Sequence, residues 1–372
     1  MARAASRTRV ESTSWRQALA WRMGRHHLVR RARPSKLLDV VSDICGLHAQ
    51  MMSSAELSLW ARVDGLERGA VQEVIWERRE LVKLWAMRGT LHLLPSRELG
   101  FWLSALGRQW KYGNKGSEEI EVLTRAVARA LDGRILSREQ LAQKVVRYTG
   151  SEEYGEFVRF SWGSYLKAAS WRGLLCFAPS VDKNVRFTAP RTWLPHRIDR
   201  IDSDEALREM TRRFLHAYGP ATPDILALWW GGYGPALGRK LLAELETTQL
   251  EIEGLRTWLL ARDRQAVLDA KPPKLARLLP AFDPWVLGAT RVEGLLDPAH
   301  KPLVYRAQGW ISPVVLLDGR ISGVWKHTQK GRRLIVEVEP FVRLPKWARA
   351  SVEDEGERLA GFLGGELTLS IR

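Results

Sequence analysis

The stretch LLCFAPSVDKNVRFTAP (residues 174–190) contains two extended runs on either side of a polar Asp182-Lys183-Asn184 turn. Runs of this kind, bounded by turn residues, predict a β-hairpin. SWGSYLKAASWRG (161–173) stands directly before it and predicts a helix. A helix followed by a short hairpin is the end of a winged-helix domain, so the residues further upstream decide whether such a domain is complete.

Two more helical patterns complete the domain. EEIEVLTRAVARAL (118–131) places its apolar residues on one helical face, and Ser137 and Gln140 have capping-box spacing at the start of a second helix. Together with residues 161–190 they give three helices and a wing. The middle of the chain therefore predicts a winged helix.

The same order occurs on either side of it. Downstream, Thr222 and Pro223 suit the start of a helix, GPALGRKLLAEL (234–245) follows as a recognition-type helix, and TQLEIEGLRTWLLARD (248–263) gives two alternating strands. Upstream, LVKLWAMRGTLHLLP (81–95) gives two strand-like runs that meet at Arg88-Gly89, after looser helical patterns. We therefore expect three tandem winged helices.

The character of the chain changes after about residue 275. Short runs rich in β-branched residues follow, with an Asp318-Gly319 hairpin signal between two of them and a helical stretch at 346–363. The sequence predicts an α+β fold: winged helix 1 with a basic arm (1–115), winged helix 2 (116–200), winged helix 3 (201–274) and a small β-rich, barrel-like C-terminal domain (275–372).

Composition points to a nucleic-acid partner. The chain has 372 residues and 45% hydrophobic content, which suffices for several folded domains, and its formal net charge is +16. Residues 1–36 contain ten Arg or Lys and one acid. Arginine contacts phosphate in bidentate fashion, so we favour nucleic acid over a merely solvated basic surface or the arginine bias of a GC-rich genome.

No apolar run is long enough to span a bilayer, and the first residues lack the apolar core of a secretory signal. We expect a cytoplasmic monomer that does not associate with membranes; an organellar transit peptide is the weaker alternative interpretation of the Arg- and Ser-rich start.

Local motifs exclude several classes of enzyme. Cys45 and Cys176 form no C-x-x-C pair, which argues against structural zinc or a disulfide framework, and we expect two buried thiols and no metal or organic cofactor. GGYGPALG (231–238) resembles a dinucleotide loop, but its glycine spacing is wrong and no βαβ pattern surrounds it. We interpret it as a helix–turn–helix corner.

Four blocks carry a family resemblance. GLHAQMMSSAELSLWAR (46–62), LWAMRGTLHLLPSRE (84–98), LLPAFDPWVLGATR (278–291) and PVVLLDGRISGVWK (313–326) resemble, in the same order, the winged-helix DNA-binding proteins that include the AlkZ and YcaQ DNA glycosylases. The resemblance covers nearly the whole chain. It is specific because the four non-repetitive blocks occur together.

The resemblance implies three tandem winged helices with a β-barrel-like C-terminal element. It also implies release of N7-alkylated purines from double-stranded DNA, including bulky or crosslinking adducts of genotoxic natural products, often as self-resistance in a producer. The family's catalytic motif is Gln, an apolar residue, and Gln or Asp. Here it aligns with His48, Ala49 and Gln50, so the first position departs from the common pattern.

The chemistry suits these two side chains. Alkylation at N7 leaves the base positively charged, so the enzyme mainly stabilises a cationic sugar and positions a water. A glutamine oxygen can hold that water, and a neutral histidine can hold it and also accept its proton, because the usual histidine pKa lies near neutral pH. The structural alternative is a histidine at a helix end and a surface amide. On a regular helix the two would point about 200° apart, which requires a helix end or break between them.

Further residues are candidates for DNA contact. Arg88, Thr90 and His92 alternate in the first wing and would share one face, where they meet DNA or support the site. Arg239 and Lys240 lie on the third recognition-type helix, and Arg256 and Arg262 flank the third hairpin. We expect Phe282, Asp283 and Arg291 to be structural.

We therefore expect a monofunctional DNA glycosylase, since no lysine near the motif offers a Schiff base; Lys36 and Lys83 are nearest along the chain. The alternative is a non-catalytic winged-helix regulator or lesion sensor. Three copies in one chain favour a protein that wraps a lesion over a dimeric reader of palindromes.

Overall fold

The structure is a computed structural model that describes residues 10–113, 118–160, 163–231, 234–288 and 293–372. Arg291 and parts of the predicted third helix (161–162) and of the glycine-rich corner (232–233) lie outside the described residues.

The first quarter of the chain, unit 1, contains short helices and four strands. Its elements are β1 (Ser12–Thr13), α1 (Trp15–Arg25), α2 (Leu37–Asp43), β2 (Leu47–His48), α3 (Met52–Trp60), α4 (Ala70–Gln72) with a following π-helical turn (Glu73–Glu77), β3 (Leu81–Trp85) and β4 (Leu91–Pro95).

Unit 2 contains the three helices expected from the sequence and three further helices over its described residues. Its elements are α5 (Leu99–Gly113), α6 (Glu118–Leu131), β5 (Leu136–Ser137), α7 (Arg138–Thr149), α8 (Glu152–Arg159), α9 (Lys167–Trp171), β6 (Cys176–Val181), β7 (Asn184–Thr188) and α10 (Pro190–Trp193). Ser137 accepts from the Gln140 N–H at 3.2 Å and the Gln140 side chain accepts from the Ser137 N–H at 2.9 Å. The predicted capping box is confirmed.

Unit 3 has three helices followed by a hairpin. Its elements are α11 (Ser203–Tyr218), α12 (Pro223–Trp230), α13 (Pro235–Ala243), β8 (Thr247–Ile252), β9 (Leu255–Leu260) and α14 (Arg264–Leu268). Thr222 caps α12 through the Ile225 N–H at 3.2 Å, and Pro223 takes the first helical position, as predicted.

The C-terminal part contains β10 (Ala276–Leu279), α15 (Pro284–Gly288), α16 (Lys301–Val304), β11 (Val314–Leu317), β12 (Arg320–Lys330), β13 (Arg333–Pro340), α17 (Lys346–Leu363) and β14 (Glu366–Ile371). The predicted hairpin at Asp318-Gly319 is confirmed.

Each of the three units contributes a hairpin to a three-stranded sheet. The strand orders are β2-β4-β3, β5-β7-β6 and β1-β8-β9, and each sheet adds one two-residue strand to its hairpin. The three predicted hairpins are thus confirmed as pairs of antiparallel strands. The assignment of each unit as a winged helix stays a prediction.

The barrel-like expectation for the C-terminal domain is wrong over the described residues. The five strands form one open sheet in the order β10-β11-β12-β13-β14, so β10 and β14 are its two edges. β13 and β14 run parallel, joined by α17, whose buried Val352 and Leu359 belong to the same core as Leu334 and Val336 of the sheet. A helix that covers one face removes the need for the sheet to close on itself.

The first hairpin lies where three hydrophobic cores meet. Leu81 and Leu93 belong to the core shared with the C-terminal sheet, Val82 and Leu94 to the core shared with unit 3, and Trp85 to the core of unit 2. All of β4 and all of β3 except Lys83 are buried. The hairpin that carries the family's second block is therefore an interior scaffold.

The start of the chain packs on unit 3 and so departs from the linear order of units. β1 pairs in parallel with β8, and Trp21 of α1 packs against Leu250 and Leu259 of the third hairpin. Arg22 of α1 is buried and donates to the Tyr218 carbonyl oxygen at 2.6 Å. α1 and unit 3 therefore form one packed body.

Candidate active site

The segment that holds His48 is a strand, which corrects the expectation of a helix end. Cys45 and Gly46 both have positive φ, 61° and 91°, and this sharp turn separates α2 from β2. A Cβ at Gly46 would lie 2.5 Å from a methyl carbon of Leu94, so the position has room for glycine alone. α3 begins at Met52, four residues after His48.

The strand geometry also changes the relation between His48 and Gln50. The Ala49 N–H donates to the Leu91 carbonyl oxygen at 2.7 Å, which continues the pairing of β2 with β4 one residue beyond His48. β2 ends at His48, and Gln50 lies two residues further on, in a bend that precedes α3. The motif therefore leaves a strand and enters a turn, and no helix separates its two polar side chains. Ala49 is fully buried, whereas Gln50 is exposed.

His48 lies between two aromatic rings. It is 7% exposed, its ring stacks on Phe282 at a centroid distance of 5.1 Å, and it meets His92 edge-on at 5.7 Å. Its Nδ1 is buried and has no hydrogen-bond partner among the described residues. Burial, with smaller contributions from the charges of Arg88 and Lys83, lowers the pKa of His48 to about 3. The imidazole is therefore neutral at physiological pH.

Phe282 is held against His48 by a buried ion pair. Asp283 and Arg62 have fully buried side chains and are joined by two hydrogen bonds of 2.7 and 2.8 Å. Asp283 also accepts from the Trp285 N–H at 2.8 Å, which fixes the turn in which Phe282 adopts a positive φ of 58°. The expectation that Phe282 and Asp283 are structural overlooked the contact with the motif. Their only signal in the sequence is the PAFDPW block itself.

Arg88, Thr90 and His92 do not share one strand face. Arg88 lies in a tight turn with φ of 56°, which interrupts the alternation; only His92 lies in a strand. Arg88 donates to the Trp229 carbonyl oxygen of α12, Thr90 donates to the Met87 carbonyl oxygen at 3.1 Å, and His92 Nδ1 contacts the Thr90 carbonyl oxygen at 3.0 Å. These internal contacts favour the supporting role over DNA contact.

Gly231 packs closely against the backbone of Arg88. It ends α12 with φ of 77°, and a Cβ there would lie 2.9 Å from the Arg88 Cα. The glycine-rich stretch thus begins with a close approach between unit 3 and the first hairpin, in line with its interpretation as a structural corner.

The four other predicted DNA contacts lie on the surface of unit 3. Arg239 and Lys240 are exposed on α13, with Lys240 3.6 Å from Glu244. Arg256 is exposed two residues after the Glu253-Gly254 turn, and Arg262 is exposed two residues after the end of β9. All four residues belong to unit 3, whereas His48 belongs to unit 1, and we refer to the four together as the basic surface of unit 3.

Lys83 is close to the motif in the sheet but points away from it. The register aligns Lys83 with Leu93 and Leu47, whereas His48 and His92 belong to the adjacent row. Adjacent rows of a sheet point to opposite faces. Its ammonium group lies 5.5 Å from the ring centroid of Phe177 in unit 2, and burial lowers its pKa to about 8.

Over the described ranges, no three histidine, cysteine, aspartate or glutamate side chains come together as a set that could bind a metal ion. Both cysteines are buried thiols, as expected. None of the helices in those ranges combines the length and the apolar character that crossing a bilayer requires.

Three similarities to known proteins bear on this site. The family model described as "DNA glycosylase AlkZ-like" matches residues 41–362. A relative from Streptomyces sahachiroi, described as an interstrand DNA cross-link repair glycosylase, is 35% identical over 366 residues, which cover 94% of this chain and 97% of the relative. The solved structure of the Streptomyces sahachiroi DNA glycosylase AlkZ superimposes with a TM-score of 0.86 at 35% identity, covering 97% of this chain and all of that one.

Proposed function

The chain belongs to the AlkZ-like DNA glycosylase family, and on that basis we propose that it is a monofunctional enzyme for bulky N7-alkylguanine lesions in double-stranded DNA. It hydrolyses the N-glycosidic bond of such lesions, including interstrand crosslinks, the damage named in the description of the 35% identical relative. The observation that carries this proposal is the His48-Ala49-Gln50 segment, which places an exposed glutamine two residues after a histidine clamped by Phe282.

The proposed reaction does not require the protein to protonate the leaving base. Because an N7-alkylated guanine is already cationic, it leaves without protonation, and the sugar develops positive charge as the bond breaks. The protein has to hold a water against C1′ and surround it with oriented dipoles. Gln50 supplies a side-chain oxygen for that water at the surface end of the motif.

His48 acts in this proposal as a hydrogen-bond acceptor. With a pKa of about 3, its neutral imidazole is a weak base, so it orients the water and does not remove a proton before the glycosidic bond breaks. This refines the expectation from the sequence, which was based on the usual histidine pKa. Phe282 and His92 restrict the ring to one orientation.

The sheet register supports the monofunctional mechanism. A lyase step needs an amine that attacks C1′, and Lys83 lies on the opposite face of the sheet from His48. We therefore expect abasic DNA as the product, with strands that break only under alkaline treatment.

DNA is held through the basic surface of unit 3. Arg239, Lys240, Arg256 and Arg262 are exposed, and neutralisation of phosphates by such side chains supplies much of the affinity for duplex DNA. Each of the three units acts in this proposal as a winged helix, and one monomer wraps one lesion. The setting is base excision repair or, in a producer of a DNA-alkylating compound, self-resistance.

The experiment is base release from a duplex that carries a single N7-methylguanine or a nitrogen-mustard crosslink. Released base is measured by chromatography, and abasic sites by alkaline cleavage. We expect release by the wild-type protein, and a decrease of about 100-fold or more in the single-turnover rate for His48→Ala and Gln50→Ala. Gln143→Ala, which removes an exposed amide from α7, is the matched control.

A regulator or lesion sensor would give the opposite result. It would bind the duplex without releasing base, and would discriminate between sequences. Equal loss of DNA binding in the His48 and Gln50 variants would contradict their assigned roles, because the proposed duplex contacts lie on unit 3.

A further inference from the structure

A cleft of about 730 Å³ opens next to the motif, between the N-terminal turn of α3 and strands β12 and β13 of the C-terminal sheet. Met51, which directly follows Gln50, and Ala281, which directly precedes Phe282, form part of its wall. Trp310 lines the cleft as well and meets the Phe282 ring edge-on at 5.2 Å. The cleft is thus continuous with the clamp around His48.

The cleft presents apolar surface that the fold does not cover. Trp310 is 40% exposed and Leu303 is 44% exposed, and Leu57 and Trp325 contribute buried apolar surface to the same wall. Large exposed hydrophobic side chains grouped next to a site mark a binding surface more often than isolated ones do. An exposed indole offers a flat face on which an aromatic ring can stack.

The charged groups in the cleft largely neutralise one another. The two carboxylate oxygens of Glu337 lie 3.0 Å from Lys326 Nζ and 2.9 Å from Arg372 Nη2. These three side chains thus form a network of salt bridges in the cleft wall. The His327 ring stacks on the Trp325 ring at a centroid distance of 5.5 Å, and partial burial lowers the pKa of His327. Three basic and two acidic side chains line the cleft, so it lacks the strong excess of positive charge that binds a phosphate backbone.

The size of the cleft indicates what it holds. Pockets for small organic ligands measure about 300–1,000 Å³. A methyl group, close in size to a water molecule with its share of about 30 Å³, would leave the cleft nearly empty. A fused aromatic group fills such a space and finds a stacking partner in Trp310.

We propose that this cleft binds the planar aromatic part of a bulky adduct on guanine N7, stacked on Trp310, while His48 and Gln50 act on the glycosidic bond of the same nucleotide. The proposal rests on the proposed function and adds the substrate class that the site prefers. It makes Trp310 a specificity-determining residue.

The test compares two duplexes of one sequence, one with N7-methylguanine and one with N7-(2-naphthylmethyl)guanine at the same position. Single-turnover rates are measured as a function of protein concentration. We expect Trp310→Ala to lower the second-order rate constant for the naphthylmethyl duplex by about 10-fold, because loss of one stacking partner has an effect of this order. The rate constant for the methyl duplex should change little, and Trp310→Phe should restore most of the difference.

Two further variants keep the test specific. Ser53→Phe places a ring in the mouth of the cleft and should slow release of the naphthylmethyl base more than that of the methyl base. Phe160→Ala removes a similarly exposed aromatic side chain, 46% exposed, from unit 2 and should leave the ratio of the two rates unchanged.

The outcomes separate the two proposals. If Trp310→Ala slows both duplexes equally, the residue only supports Phe282 or contacts DNA, and the adduct site is refuted while the glycosylase proposal stands. If the wild-type protein releases neither base, the proposed function fails. In that case the Kd values of the two duplexes still test whether the cleft binds the aromatic group. Equal Kd values of the wild-type protein and Trp310→Ala for the naphthylmethyl duplex would refute the proposed adduct site.

Discussion

The first and the third hairpin follow the same sequence pattern but occupy opposite environments. β3 and β4 are buried along almost their whole length, between the cores of unit 2, unit 3 and the C-terminal sheet. The turn between β8 and β9 is exposed, with Glu253 and Arg256 on its surface. One hairpin pairs with the strand that holds His48, and the turn of the other is exposed to solvent. A repeated fold pattern therefore does not imply a repeated role.

The largest effect should come from the ion pair that attaches the C-terminal domain behind the buried hairpin. Asp283→Ala leaves Arg62 charged and without its partner in a site with no solvent exposure. Breaking a buried pair in this way costs about 3–5 kcal/mol of unfolding free energy. Urea denaturation followed by tryptophan fluorescence measures the loss. Asp39→Ala, which breaks the exposed pair with Lys36, should leave the curve unchanged. A wild-type curve for Asp283→Ala would show that the pair does not stabilise the fold.

The turn of the buried hairpin gives the next largest effect. Arg88→Ala removes the hydrogen bond to the Trp229 carbonyl oxygen and should cost about 1–3 kcal/mol of unfolding free energy, because a buried acceptor loses its partner. The same variant should keep the wild-type salt dependence of DNA binding. A decrease in the slope of log Kd against log salt would instead support the prediction from the sequence that Arg88 contacts DNA.

A substitution in the third hairpin, whose turn is exposed, should change DNA binding and not the stability of the fold. Arg256→Ala should leave the stability of the fold unchanged and reduce the slope of log Kd against log salt by about one, the effect of one lost phosphate contact. The slope is measured by fluorescence anisotropy with a labelled duplex at salt concentrations between about 50 and 200 mM. If Arg256→Ala and Arg88→Ala gave the same slope, the distinction between the two hairpins would be wrong.

The sequence predicted those parts of the fold whose causes are local. The hairpins at 174–190 and 248–263 are specified by residues at their own turns, and the start of α7 by the Ser137–Gln140 capping box. The strand that holds His48 has two residues and exists because β4 pairs with it from more than 40 positions away. β1 depends on β8 in the same way.

The candidate site also combines features that the sequence shows with features that depend on distant residues. The positions of His48 and Gln50 came from the family resemblance, which is independent of secondary structure, whereas the clamp came from the tertiary fold. Phe282 reaches His48 only because Asp283 pairs with Arg62 and the C-terminal domain packs on unit 1. No local pattern around residue 282 shows this contact.

At neutral pH the smallest expected effect concerns the histidine itself. The folded pKa of His48, about 3, lies below the usual value of 6.5, so between these values the unfolded chain binds more protons than the folded one. Stability must then fall as the pH decreases from 6.5 towards 3, and burial of His26 and His92 lowers their pKa values in the same direction. The His48 contribution is absent above pH 6.5. NMR of the imidazole protons should show no titration of His48 between pH 5 and 8.

His48→Gln tests what the histidine adds to the glutamine that the family resemblance gives as usual here. A neutral amide cannot be protonated in this range, so the variant should lose less stability than wild type between pH 6.5 and 4.5. Because both side chains offer an acceptor for the same water, base release at pH 7.5 should change little. A large loss of activity in His48→Gln, with His48→Ala equally inactive, would mean that the imidazole takes up a proton during the reaction. The ring would then have to regain its basicity when DNA binds, and the rate for wild type would fall below a pH near 6.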